Sequence, residues 1–251
     1  MTQKEIITAQ SQFVAMRNEL IQKSRYQLTK QEQKIILFMV SKITPYDEPG
    51  TEYPFSFAEF ETVCNLNREG GKEKIRIGEA LRALKTKPLE IRLSEKKRVI
   101  TSWFNEAVID DETQEVKISF SKYLVPYLYN LQSFYTQFSL SNVLPMRSKY
   151  SIRLYEYLKS VKSKGHKQTF SVEEIKERVG SENYDKYKDF RVRVLERAVE
   201  EINTYSDLMV SYKEIKTGRR VTHIEFTIIA NDTAEKHIER MKALGTYPNS
   251  K

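Results

Sequence analysis

The chain has a single cysteine, Cys64, in 251 residues. One thiol excludes an internal disulfide framework and any zinc site built from paired cysteines. It fits a reducing cytoplasm, and on the helix expected after Ser56 it reads as a small buried apolar residue. Histidine is nearly as scarce: His166, His223 and His237 are scattered, without an HxH or HExxH pair. Metal-dependent catalysis therefore lacks ligands, and a tyrosine nickase with a histidine-held metal is excluded with it. No long apolar run occurs. The longest, Ile35 to Val40, falls far short of the roughly 20 residues that span a bilayer. The opening MTQKEIITAQ lacks the basic start and apolar stretch of a secretory signal. A phosphate-binding loop is missing as well. Gly71-Lys72 is followed by Glu73 rather than Ser or Thr, and Leu66 stands where the first glycine belongs. Asp110-Asp111-Glu112 reads as an exposed turn between strands rather than a cation site. The expectation is a cytoplasmic protein that is not an enzyme and holds no cofactor.

Positive charge is plentiful. The formal net charge is +8 and the isoelectric point about 9.3, which favours an anionic partner. Apolar residues make up 39%, and glycine and proline are few, so the length suits one large folded domain or two ordinary ones.

One phrase occurs twice. PFSFAEFETVCN (54–65) and TFSVEEIKERVG (169–180) align Phe55-Ser56 with Phe170-Ser171, Glu59 with Glu174 and Phe60 with Ile175, at a constant offset of 115. A serine followed three residues later by glutamate is the capping-box signature of a helix start. The repeat extends in both directions. In the first half, Thr29 caps a helix over 30–43. A second helical pattern carries Ile77, Leu81 and Leu84, and Pro88 stops it. LEIRL (89–93), a charged turn SEKKR (94–98), a return strand VITSWFNEAVID (99–110) and another strand EVKISF (115–120) follow. In the second half come a helix over 147–163, the helix after Ser171, and a long helix with Phe190, Val194, Ala198 and Ile202 on one stripe. A strand LMVSYKEI (208–215), the turn KTGRR (216–220) and a strand VTHIEFTII (221–229) complete it. The shared order is helix, short strand, helix, helix, strand, basic turn, strand. The expected fold is α+β, two tandem winged-helix domains related as an internal pseudo-repeat. The expected limits are 1–135, 136–230 and a tail 231–251 of unknown role. The aromatic FSKYLVPYLYNLQSFYTQF (120–138) reads as an inter-domain helix packing its rings, not as a base-stacking platform.

The charge falls on matching elements. Residues 68–98 carry a net +6, 147–167 a net +6 and 186–197 a net +3. A single lysine is ordinarily a solvated helix residue. The first window covers the second helix and hairpin tip of the first half and the third the start of the matching helix in the second half, which points instead to duplex DNA, because that helix enters the major groove and its first residues reach base edges.

The stretches LTKQEQKIILFMVSKI (28–43), LPMRSKYSIRLYEYLKS (144–160) and DFRVRVLERAVEEINTYSDLMVSYKEIKTGRRVTHIEFTI (189–228) resemble the initiator Rep proteins of iteron plasmids, in order over roughly residues 5–230. The resemblance implies a plasmid replication initiator. Such a protein binds repeated origin sites in double-stranded DNA and opens an A·T-rich segment. It recruits the host initiator and replicative helicase, exchanges between monomer and dimer through its first domain, and represses its own gene at an operator. It implies DNA contacts at Lys186, Lys188, Arg191, Arg193 and Arg197 on the recognition helix, and at Arg219 and Arg220 on the wing. Arg147, Ser148 and Lys149 would hold phosphate at a helix start. In the first domain the contacts fall on Lys72, Lys74 and Arg76. Two other functions suit the same pattern: a winged-helix transcriptional regulator with no role in replication, and a protein-interaction module. Directly repeated sites beside the gene would separate the first from the initiator, and the salt dependence of DNA binding the second.

Overall fold

The computed structural model describes residues 12–64, 77–231 and 233–244. They form two compact units that divide between Leu144 and Pro145, beyond the limit of 135 expected from the sequence.

The first unit runs β1 (Phe13–Arg17), α1 (Asn18–Lys23), β2 (Ser24–Arg25), α2 (Lys30–Val40), β3 (Glu52–Ser56), α3 (Phe57–Cys64), α4 (Ile77–Thr86), β4 (Leu89–Arg92), β5 (Arg98–Thr101), β6 (Phe104–Asp110), β7 (Glu115–Phe120), α5 (Val125–Leu128) and β8 (Tyr135–Ser139). All pairings are antiparallel: β1 with β8, β2-β4-β5, and β3-β7-β6. Helix α2 begins in a complete capping box, Thr29 with Glu32. The Ile35–Val40 run is buried on every side, as an all-apolar helical segment must be. Its Phe38 packs edge-on against Phe55 of β3 at 5.3 Å and near Phe60 of α3 at 6.1 Å. Both oxygens of Glu32 also accept from Lys87, at 2.7 and 2.6 Å. Burial raises the Glu32 pKa, but the Lys87 and Thr29 hydrogen bonds together outweigh it and hold the carboxyl below its usual value.

Two sequence expectations fail here. The single return strand over 99–110 is instead two strands in two sheets, broken at Ser102-Trp103. Trp103 and Phe104 are both buried. Successive residues of one regular strand face opposite sides, so the chain must change sheets to bury both. Trp103 lies edge-on to Tyr26 at 5.2 Å. Nor is the aromatic segment 120–138 one helix. It breaks into a 3₁₀ turn at Lys122–Leu124, the four residues of α5 and the strand β8. Tyr129 is already extended, and Asn130 and Phe134 take positive φ values of 50° and 53° that stop a helix. Thr136 and Phe138 then alternate inward in period two.

The second unit runs α6 (Lys149–Val161), β9 (Lys167–Ser171), α7 (Val172–Val179), α8 (Tyr187–Phe190), a π-helical segment (Arg191–Glu196), α9 (Arg197–Tyr205), β10 (Leu208–Thr217), β11 (Arg220–Ala230) and α10 (Ala234–Leu244). Its sheet has the order β10-β11-β9. Helices followed by a hairpin that takes up the early strand make a winged helix. The repeat diverges at this point, because β3, the counterpart of β9, pairs with β7 and not with a wing strand.

The repeated phrase caps each helix only halfway. Ser171 Oγ accepts from the Glu174 amide at 3.0 Å and Ser56 Oγ from the Glu59 amide at 3.1 Å. The two carboxylates then reach outward rather than back. Glu174 accepts from the Tyr157 hydroxyl at 2.8 Å, and Glu59 holds the Lys42 ammonium. Lys42 and Tyr157 are themselves 115 positions apart, so the same tie to the first helix and its end recurs in both halves. Gly180, in the left-handed region, ends α7.

Residues 187–205 form one long helix whose stripe Phe190, Val194, Ala198 and Ile202 is fully buried. Beyond β11 the tail, without an expected structure, gives α10. Its Lys236 Nζ donates to the carbonyls of Ser206 at 3.0 Å and Leu208 at 2.6 Å, capping the C-terminal end of α9.

Thr29→Ala, which deletes the cap of α2, and Tyr157→Phe, which frees the Glu174 carboxylate, should each cost about 1 kcal/mol. Urea unfolding checks this through a lower midpoint at little-changed slope. An unmoved midpoint for Tyr157→Phe would mean that the Glu174 bond contributes nothing.

Candidate functional site

The basic residues of the second unit collect at one end because of how the long helix lies on the hairpin. The Tyr187 hydroxyl donates to Glu214 Oε1 at 2.9 Å, near the hairpin tip. Sixteen residues later, Asn203 donates to the Val210 carbonyl at 2.9 Å and accepts from its amide at 2.7 Å, near the hairpin base. The first turns of the helix and the tip therefore share one end. Burial pushes the Tyr187 phenol well above its usual pKa, and its bond to Glu214 pushes further, so it stays a neutral donor.

Lys186, Lys188 and Arg193 stand exposed on those first turns. Arg193 has no carboxylate within ion-pair reach among the described residues. Arg191 differs. It sits between Glu196 at 3.4 Å and Glu214 at 3.7 Å, anchoring the π segment to β10. Arg219 and Arg220 are exposed at the tip, past a bulge between Ile215 and Lys216. Arg220 meets Glu173 of α7 at 2.8 Å, an exposed pair of little energetic weight.

Glu201 has a role that the sequence pattern does not reveal. One of its oxygens accepts from the amides of both Arg147 and Ser148 at 3.1 Å, ahead of α6, and the other faces Arg197 Nε at 3.4 Å. This carboxylate does for the helix start what a bound anion would do. The two free amides expected to receive a phosphate are thus already occupied, and Arg197 is drawn toward the same carboxylate. The Ser148 hydroxyl is the N-cap, accepting from Tyr150 at 3.2 Å. The Arg147 side chain remains exposed, while Lys149 lies over the Tyr150 ring at 5.0 Å. No repeat or motif marks Glu201. Its only signal in the sequence is its spacing of four residues from Arg197.

In the first unit, Lys72, Lys74 and Arg76 lie outside the described residues. Lys85 of α4 turns inward to the Phe104 carbonyl at 3.2 Å, and Lys87 is held by Glu32. The turn between β4 and β5, with Lys96 and Lys97, is exposed. The acidic Asp110 turn is an ordinary one, with Asp110 accepting from the amides of Glu112 and Thr113. Among the described residues no group of His, Cys, Asp and Glu gathers as a metal site, and no helix is long and apolar enough to cross a membrane.

Comparison with known proteins places this arrangement. Residues 13–159 match the family described as "Initiator Replication protein, WH1", and residues 171–228 the family "Initiator Rep protein, WH2". A "Replication initiation protein" from Escherichia coli is 31% identical over 228 residues, covering 87% of this chain and 70% of that protein. The crystal structure of Pi initiator protein in complex with iteron DNA is similar in fold, with a TM-score of 0.65 at 17% identity, over 89% of this chain and 99% of that one. Domains 2 and 3 of RctB align with a TM-score of 0.50 at 12% identity, over 84% of this chain and 86% of that one.

Replacing Glu201 by alanine should destabilise the second unit by roughly 1–3 kcal/mol, because two amides ahead of α6 lose their acceptor. Urea unfolding would show it. A neutral substitution would mean that solvent satisfies those amides equally well.

Proposed function

Because the chain belongs to the initiator Rep protein family, we propose that it is a plasmid replication initiator that binds directly repeated origin sites in duplex DNA. The observation that carries this is the shared end of the second unit. There the exposed Lys186, Lys188 and Arg193 on the first turns of a helix lie beside a wing tip bearing Arg219 and Arg220. Cations on a helix start can fork onto guanine in the major groove, and those on a wing can hold the flanking backbone. The similarity in fold to a Pi initiator solved with iteron DNA supports the same reading.

The roles divide by exposure and pairing. Arg193, exposed and unpaired, reads bases. Lys186, Lys188, Lys149, Arg219, Arg220 and the Arg147 side chain neutralise phosphate. Arg191 and Arg197, each against a carboxylate, reach DNA only by exchanging partners. Ser148 serves as a helix cap. In the first domain, Lys72, Lys74 and Arg76 contact backbone, and that domain sets register.

The protein catalyses no bond breakage and needs no cofactor. It works in the cytoplasm, opens an A·T-rich segment and brings in the host initiator and replicative helicase. It also pairs with itself through the first domain. The strands β5 and β6 are outer strands of their sheets and leave Ile100 and Val108 exposed, an edge suited to a second copy and to repression of its own gene at an inverted repeat.

Titration of the chain with a duplex carrying the repeats beside its own gene, and with an unrelated duplex, tests the proposal. Affinity for the repeats should exceed that for the unrelated duplex. If about six to ten phosphates are neutralised, it should fall roughly a thousandfold or more from about 50 to 200 mM salt. Flat binding, or none, rejects the reading. Arg193→Ala should cost about 1–3 kcal/mol on the repeats and relax one base position, whereas Lys72→Ala should weaken all duplexes alike and lower the salt slope by about one. Sedimentation should reveal a dimer at high micromolar concentration, and a chain that stays monomeric even with an inverted repeat removes the pairing role.

A further inference from the structure

On the reading just given, the long helix 187–205 turns one side to the core and the other to the major groove. The groove side is charged at nearly every position: Lys188, Arg193, Glu196, Arg197 and Glu200 are exposed there. Val192 interrupts it. It is 47% exposed, the one large exposed apolar side chain of this helix, and it lies in the π segment of the first turns. Lone exposed valines are common on protein surfaces and by themselves mean nothing. This one stands four residues after Lys188 and next to Arg193, where the reading puts base contacts.

Folding gives no reason for it. Valine is a poor choice at a solvated helical position, where straight-chain residues cost less. It stays half exposed, while Phe190, Val194 and Leu195 fill the core at this level. Nor can it touch phosphate usefully, since it has neither charge nor donor. The major-groove edge of a base pair offers one apolar group, the C5-methyl of thymine. A β-branched side chain suits that target. In a helix it holds essentially one rotamer, so its methyls are already placed and little freedom is lost on contact.

We propose that Val192 is a specificity-determining residue that recognises the C5-methyl of one thymine in the site, beside the base read by Arg193. It favours thymine at that position through an apolar contact that the arginines, which need hydrogen-bond acceptors, do not make. The inference rests on the initiator reading and on the groove placement of this helix.

The test uses the full chain and the duplex repeat on which it binds specifically, with each thymine in turn replaced by deoxyuridine, which removes only the methyl. One position should lose about fourfold in affinity, the worth of one buried methyl group. Val192→Ala should bind the unmodified duplex at least that much more weakly and lose nothing further at that deoxyuridine. Val192 is exposed, so the variant should keep the wild-type circular dichroism and melting temperature. A specific binder indifferent to every deoxyuridine overturns this inference alone, as does a methyl effect that persists undiminished in Val192→Ala. A chain with no sequence preference for any duplex overturns the initiator reading as well.

Discussion

The geometry of the second unit depends on one constraint. Four buried side chains spaced by four residues spread over a broad face of a straight α-helix. With about 3.6 residues per turn, each step of four drifts about 40°, and three steps carry the stripe far around the axis. Phe190, Val194, Ala198 and Ile202 are nevertheless all fully buried. The π segment at 191–196 narrows that spread, since its wider turns take up an extra residue and turn the stripe back toward the core. Val194 and Leu195 are consecutive and both buried, which marks the place. The same adjustment decides where the charged residues go. Arg191 is turned to the carboxylates of Glu196 and Glu214, while Arg193 is left to solvent.

A second regularity is the acid three residues past each cap serine. In an ordinary capping box that acid bonds back to its own helix, as Glu32 does at Thr29. Glu59 and Glu174 each bond to the preceding helical region instead, and so tie α3 to the end of α2 in the first unit and α7 to α6 in the second. The partners differ in kind. Lys42 gives an ion pair, open to screening by salt, whereas Tyr157 gives a hydrogen bond from a neutral phenol. Burial, and then the Glu174 bond itself, raises the Tyr157 pKa and keeps that proton in place.

Much of this was legible in the sequence. The 115-residue offset, the cap residues Thr29, Ser56 and Ser171 and the apolar spacings located α2, α3, α4, α6, α7, the long helix and both hairpins. What failed did so for physical reasons. The strand over 99–110 looked continuous because Val, Ile, Trp and Phe all favour strands, and local preference does not reveal a change of sheet. The segment 120–138 looked helical because aromatic and aliphatic residues crowd it, but single positive-φ residues stop a helix and leave no pattern to read. Among the arginines, composition could not separate the free Arg193 from the partnered Arg191 and Arg197, because Glu214 is distant in sequence from Arg191, and the four-residue spacing of Arg197 and Glu201 does not show that this glutamate is buried. The π segment was visible only as the stripe of fours, which reads as an ordinary helix until the drift is added up.

The wing has a consequence for crowding. β10 is an outer strand with one edge unpaired, and on the proposed function copies bound at tandem sites would be held together at an effective concentration far above that in bulk. A long flat edge would then invite strand-to-strand association between neighbours. The bulge between Ile215 and Lys216 breaks the regular spacing of the edge just before the tip, and Lys213 and Lys216 line it with like charge. Two copies meeting at this edge would present mismatched spacing and like charge to one another, which opposes strand pairing between them.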